Sequence, residues 1–377
     1  MPPRLPASRP GILLSAGIAL ALSPSARASA YYFSDVGVRS FSRAGAFVAG
    51  ADDITALYYN PAAVIRLDPQ INIHVAAVSQ SVTFDRTDYP GEGVDGDLVN
   101  DPIENEAPPY VIPHFGVALT PGLPDTTLAI GFYPPYAPDY AYPADGAQRY
   151  SLVDTVVIQT SFGPTLAHRF GDWVTVGAGL AWSWMYVEQE LAVTLSTNTD
   201  TERDEYDVGF GVKASDPFTL TGNLGVLLEP PTGQWSAGFM VQPPVHFDAT
   251  GSMEASFLGN AYYEELGIIA ESTTSDEDIS LSVTMPLILK AGFALHPTEQ
   301  WEAELAAVWQ GWGVVEDIVI TDMDMTIVLS DSVKDSGLVE GDALIDDDII
   351  LPADYQDSWS LRLGGHYKVN DEWTVRA

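Results

Sequence analysis

Residues 173–187, WVTVGAGLAWSWMYV, decide the fold. Val174, Val176, Ala178, Leu180, Trp182, Trp184 and Tyr186 fall on one face, and Thr175, Gly177, Gly179, Ala181, Ser183 and Met185 on the other. That period of two is a strand, not a helix. The same reading gives apolar faces at Phe218, Leu220, Gly222, Leu224, Val226 and Leu228, at Trp301, Ala303, Leu305, Ala307 and Trp309, and at Trp359, Leu361, Leu363, Gly365, Tyr367 and Val369. None of these 24 positions is charged, whereas the chain-wide 18% charged fraction leads one to expect about four. Charge sits opposite instead, as at Glu302, Glu304, Arg362, His366 and Lys368.

A soluble sandwich alternates too. Three features favour a membrane barrel. About ten tilted residues cover roughly 25 Å, the height of an outer-membrane apolar band. Tryptophans gather at strand ends (Trp173, Trp235, Trp301 and Trp373 at one end, Trp359 at the other), where an interfacial girdle belongs. Short turns, RFGDW (169–173), PTGQW (231–235), PTEQW (297–301) and NDEW (370–373), alternate with long loops at 86–109, 193–217, 251–278 and 321–357. The fold class expected is all-β, a transmembrane antiparallel barrel.

The start of the chain fits export. Arg4 and Arg9 precede a twelve-residue apolar run at 11–22 and A-x-A sites ending at Ala28 and Ala30, so residues 1–30 read as a signal peptide. Twelve residues are too few to span a bilayer, which takes about 20. Without them 13 bases face 52 acids, a net charge of −39, which excludes nucleic acid as a partner. The four long loops hold 31 of the 52 acids. A charge at the lipid midplane costs about 2–4 kcal/mol and in a solvated loop almost nothing. Lipid and lipopolysaccharide are the expected surroundings, with divalent bridging open. DGDLVND (95–101) lacks the ligand order of an EF-hand, and no metal or other cofactor is expected. Cysteine is absent, no G-x-S-x-G or H-E-x-x-H motif occurs and the six histidines are scattered, so no enzyme is expected.

Strands are predicted at 71–85, 110–120, 126–138, 151–169, 173–192, 217–229, 235–250, 279–296, 301–320 and 358–369, with an eleventh beginning at Trp373. Bacterial single-chain barrels close with an even number. The expectation is therefore a barrel over 68–377 that lacks C-terminal strands, about fourteen in the complete protein. Such a bore is wider than side chains alone fill. Residues 31–67, ahead of the first strand, carry no alternating run long enough to span and read as a plug. Asp52 and Asp53 suit a helix N-terminus, and Pro61 ends the helix by driving Asn60 out of the α region.

SRAGAFVAGADDITALYYNPAAV (42–64) resembles the N-terminal hatch of the FadL/TodX-type outer-membrane transporters of long-chain fatty acids and aromatic hydrocarbons. Arg43-Ala44, Asp52-Asp53 and Asn60-Pro61-Ala62 carry the likeness, which continues through 111–119, 301–318 and 357–377. It implies a fourteen-stranded monomer that captures a hydrophobic ligand in its external loops, holds it in a lumen pocket and releases it sideways at a kinked third strand. The candidate gate is Pro134, Pro135 and Pro138 in LAIGFYPPYAPDYAY (128–142), read either as a gap in the wall or as a strand ending early. Candidates for capture are Phe257, Leu258, Tyr262, Leu266 and Ile269, at helical spacing in an acidic loop, used for binding or packed on a neighbouring loop. Arg362, His366 and Lys368 are candidate carboxylate partners in the lumen, with neutralisation of Glu302 or Glu304 favoured for Arg362. The leading reading is passive, ligand-gated uptake of hydrophobic molecules. The alternative is a cation-selective diffusion porin with a loop plug.

Overall fold

The computed structural model describes residues 35–85, 102–195, 204–315, 317–337, 341–345, 348–352 and 355–377. The expected signal peptide and DGDLVND lie outside these residues. The strands that build the wall are β1 (Gln70–Val78), β2 (Tyr110–Leu119), β3 (Thr126–Tyr136), β4 (Asp154–Phe170), β5 (Val174–Thr194), β6 (Asp207–Leu228), β7 (Trp235–Gln242), β8 (Val245–Ser256), β9 (Thr273–Met285), β10 (Ile288–Thr298), β11 (Trp301–Gln310), β12 (Asp317–Thr321), β13 (Ser358–Lys368) and β14 (Thr374–Arg376). They belong to one antiparallel sheet whose main path runs β1-β2-β3-β4-β5-β6-β7-β10-β11-β13-β14. Among the described residues β1 and β14 are its two ends.

The apolar faces point outward and are bare. Leu180 is 57% exposed, Leu220 61% and Leu361 63%, while Thr175, Ser183 and Met185 on the opposite face are buried. Such a surface is stable only against hydrocarbon or another apolar partner. Trp301, Trp359 and Trp373 are exposed at the strand ends.

The sheet wraps around residues 35–67. Tyr58 shows this by itself: its ring lies 5.6 Å from that of Tyr133 on β3, and its carbonyl accepts a 3.0 Å hydrogen bond from Lys290 on β10. Five strand spacings separate β3 from β10, about 24 Å in a flat sheet. One residue touches both only because the sheet curls round it.

Three predicted strands are broken, and the breaks line up. The run at 235–250 divides at Pro243-Pro244 into β7 and β8, that at 279–296 at Pro286 into β9 and β10, and that at 301–320 after Gln310 into β11 and β12. Gln242, Ile288 and Gln310 are direct register partners, so the fault crosses neighbouring strands at one level. Beyond it β8 pairs with β6 and β9 while β7 stays with β6 and β10. Proline has no N–H for the ladder, and two adjacent strands lose donors at the same height. The alternation keeps its phase across the prolines, which is why the sequence reads as unbroken.

The loops expected at 193–217 and 251–278 are shorter than their acidity suggests. β6 already starts at Asp207, β8 runs to Ser256 and β9 begins at Thr273. Asp216 and Glu254, counted with those loops, therefore sit on paired strands. Described parts of the span 321–357 are likewise paired: β12 pairs with β9 and with Ile349–Pro352, and Met325–Ile327 pairs with Ala343–Ile345.

Candidate functional site

Residues 35–67 are held at three places. Arg43, 1% exposed, ion-pairs with both Glu302 and Glu304 of β11, the latter at 3.1 Å. Glu304 is buried and accepts backbone N–H bonds from Val48 (2.7 Å), Ala49 (2.7 Å) and Gly50 (2.9 Å). Strict alternation turns both glutamates inward while Trp301, Ala303 and Leu305 face out. On the opposite flank Asn60 joins this segment to the wall. Its Nδ2 donates to the carbonyls of Val48 (3.0 Å) and Val226 (3.1 Å), and its Oδ1 accepts from Ala62 N (3.1 Å). Asn60 is extended (φ −161°), as expected before Pro61, yet Pro61 also opens a 3₁₀ turn, Pro61–Arg66. Asp53 accepts from the N–H (2.9 Å) and hydroxyl of Thr55 just ahead of the one-turn helix Ala56–Tyr59, whereas Asp52 pairs with Arg39 at 2.9 Å.

The third hold corrects the role favoured for Arg362. It bonds Asp35 at 3.0 Å rather than Glu302 or Glu304, which Arg43 already neutralises. His366 Nδ1 lies 3.8 Å from Glu302, and Lys368 is exposed near the short turns. The cation that sequence reasoning missed is Lys290, which is buried with its Nζ 3.4 Å above the Tyr58 ring. A lone lysine inside an alternating strand (inward by parity) is the signal that would have found it.

Close approach of residues 35–67 to the wall depends on glycine. A Cβ on Gly177 would overlap Pro61 and Ala62, and one on Gly364 the Arg43 carbonyl. Overpacking of this kind costs about 1–3 kcal/mol. Gly177→Val is therefore expected to lower the thermal midpoint measured by heat-modifiable electrophoretic migration, with the neighbouring, outward-facing Ala178→Val close to neutral.

The prolines of the third strand do not end it. Pro134 and Pro135 lie within β3, which slips its register on β4 between Tyr133 and Tyr136 and continues as Asp139–Ala141 on the same neighbour. On the other side, pairing with β2 stops at Phe115↔Phe132. A seam thus opens between β2 and β3 toward the long-loop end. Side chains cross it: Tyr110 Oη donates to the Ala137 carbonyl at 2.6 Å, and Gln80 to that of Asp139 at 3.1 Å.

An apolar cavity of about 230 Å³ lies eight to sixteen residues along β5 from Gly177, lined by Met185, Val187, Phe210, Leu281, Val283 and Ile320 among others, with Gln189 the single polar side chain among the described residues. Tyr136, Gln159 and Met185 are successive register partners, so cavity and kink share one height. None of Arg362, His366 and Lys368 lines it.

The capture candidates divide. The helix expected through 255–270 is a single turn, Ala261–Glu264. Phe257, Tyr262 and Ile269 pack into the apolar cluster around the cavity, while Leu258 and Leu266 are exposed. Leu258 borders a second, mixed cleft of about 680 Å³ with Arg149, Glu190, Lys213 and Glu254. Burial of alternate members is what a loop lying over a core produces, and helical spacing alone does not distinguish the two.

A wall with an outward apolar face, wrapped around a buried N-terminal segment, defines an outer-membrane β-sheet protein. The chain belongs to the outer membrane protein transport protein family (OMPP1/FadL/TodX), whose family model matches residues 19–377. It is accordingly an outer-membrane transporter and not an enzyme. Its fold is similar to that of a FadL homologue of Pseudomonas aeruginosa (16% identical, TM-score 0.66, covering 93% of this chain and 80% of that one). It is also similar to the toluene transporter TodX of Pseudomonas putida (16% identical, TM-score 0.58, 93% and 84%). An outer membrane protein of Neisseria meningitidis is 27% identical over 132 residues, which make up 34% of this chain and 27% of that protein.

Proposed function

We propose that this protein is a passive, ligand-gated channel for hydrophobic molecules, long-chain fatty acids or related hydrocarbons. The observation that carries the reading is the cavity of about 230 Å³, because a lumen made for water and ions is polar. Leu258 and Leu266 are the external contacts that first hold the ligand. Residues 35–67 act as the hatch beneath the cavity, with Arg43, Asp52, Asp53, Asn60, Pro61 and Ala62 fixing its form. Release is sideways, through the seam that Pro134, Pro135 and Pro138 keep from closing. The equal height of Met185 and Tyr136 supports that route, since a ligand leaving the cavity meets the seam without passing the hatch.

Two measurements on the purified protein test this. A fluorescent fatty acid is expected to bind saturably in detergent, and planar bilayers are expected to show little ion conductance. Large, steady conductance with no saturable binding would establish the porin instead.

A further inference from the structure

His74 and His114 take no part in the machinery described above, and their surroundings are unusual. They are direct cross-strand partners on the inner faces of β1 and β2, with ring centroids 5.6 Å apart. His114 is 2% exposed, yet neither of its ring nitrogens has a hydrogen-bond partner among the described residues, and the buried Nε2 of His74 has none either. Buried polar atoms are normally satisfied, and an unsatisfied one is costly. Packing alone is better served by leucine or phenylalanine.

Their position supplies the reason. The last paired residues of β2 and β3 are Phe115 and Phe132, whose rings stack on the outer face at 5.1 Å and 12°. The first inward residues past that point are His114 from β2 and Tyr133 from β3, with ring centroids 6.3 Å apart. The inner lip of the seam is thus polar and its outer lip apolar. Ser161 and Ser183 are the register partners of Tyr133 on β4 and β5, which sets this lip between the hatch level at Gly177 and the cavity level at Met185.

We infer that His74 and His114 receive the oxygen-bearing end of an amphiphile, a hydroxyl or carboxyl group, as its hydrocarbon chain enters the seam. A neutral imidazole offers one donor and one acceptor, so the pair can satisfy a hydroxyl completely and a carboxyl group through its donors. A plain hydrocarbon satisfies neither ring. The inference rests on the transport reading and narrows it: the preferred cargo is an oxygenated long-chain compound rather than a bare alkane or arene.

The test is displacement of bound 1-aminoanthracene by dodecane, dodecan-1-ol and dodecanoic acid. It uses the wild type, His114→Leu, His114→Asn and His74→Leu, each shown to be folded by heat-modifiable migration. One or two hydrogen bonds gained in a buried site correspond to roughly a ten- to hundredfold preference of the wild type for the oxygenated ligands. His114→Leu is expected to abolish that preference with dodecane affinity unchanged, and His114→Asn to retain part of it. If His114→Leu fails to fold, His74→Leu, at the less buried ring, carries the same comparison. Equal binding of all three ligands by the wild type overturns the inference and leaves the transport reading standing. So does an equal loss of all three in the leucine variants. Saturable binding of none of them overturns both.

Discussion

Glu304→Leu is expected to detach residues 43–50 from the wall. The substitution removes the acceptor for three consecutive backbone N–H groups, Val48 to Gly50, and one of the two carboxylates on Arg43. Breaking one side of a buried ion pair costs about 3–5 kcal/mol, because the remaining charge keeps its desolvation penalty and loses its partner. Each orphaned N–H adds to that. The barrel strands are paired by their own ladders and do not depend on this carboxylate, so the loss is local. Hydrogen exchange at residues 43–50 is expected to accelerate by at least two orders of magnitude, with β4 to β6 unchanged and with bilayer conductance rising as the lumen opens. Glu254→Leu, on the extended strand away from the hatch, is the control and is expected to alter neither. Unchanged protection at 48–50 would mean that the glycine-lined fit, and not Glu304, holds the segment.

The second large effect is expected from Leu281→Asp. Leu281 is buried in the cavity wall beside Phe247 and Ile320. An aspartate there has no basic partner among the residues that line the cavity, and an uncompensated charge against an alkyl chain costs several kcal/mol. Affinity for a fatty acid is therefore expected to fall by at least a hundredfold. Thr284→Asp, on the opposite face of β9 next to His246, adds the same charge outside the lumen and is expected to leave binding intact. Equal loss in both variants would indicate a general charge effect on the loops, and full retention in Leu281→Asp would remove this cavity from the transport path.

Much of the site was legible residue by residue, and its limits are instructive. Glu302 and Glu304 turned inward as the parity of their strand required, and Asn60 left the helix as Pro61 required. Their partners were another matter. Arg362 chose Asp35, 327 positions away, over two glutamates on the adjoining strand, because Arg43 from the N-terminal segment already pairs with them. In the loop at 255–270, Phe257, Tyr262 and Ile269 were absorbed by a core that no local pattern announces.

By itself the sequence determined the class of solvent on each face. Side-chain direction in a strand repeats every two residues, so composition along β5, β11 and β13 fixes which side meets hydrocarbon, whereas beyond the prolines the apolar series of β8 and β9 turns inward to Phe247, Leu281 and Val283. Only the tertiary structure decided where the wall faults at Gln242, Ile288 and Gln310, where β2 and β3 part, and which inward residues enclose a cavity. Those features depend on the register between strands, and alternation is blind to register because a shift of two residues leaves it unchanged.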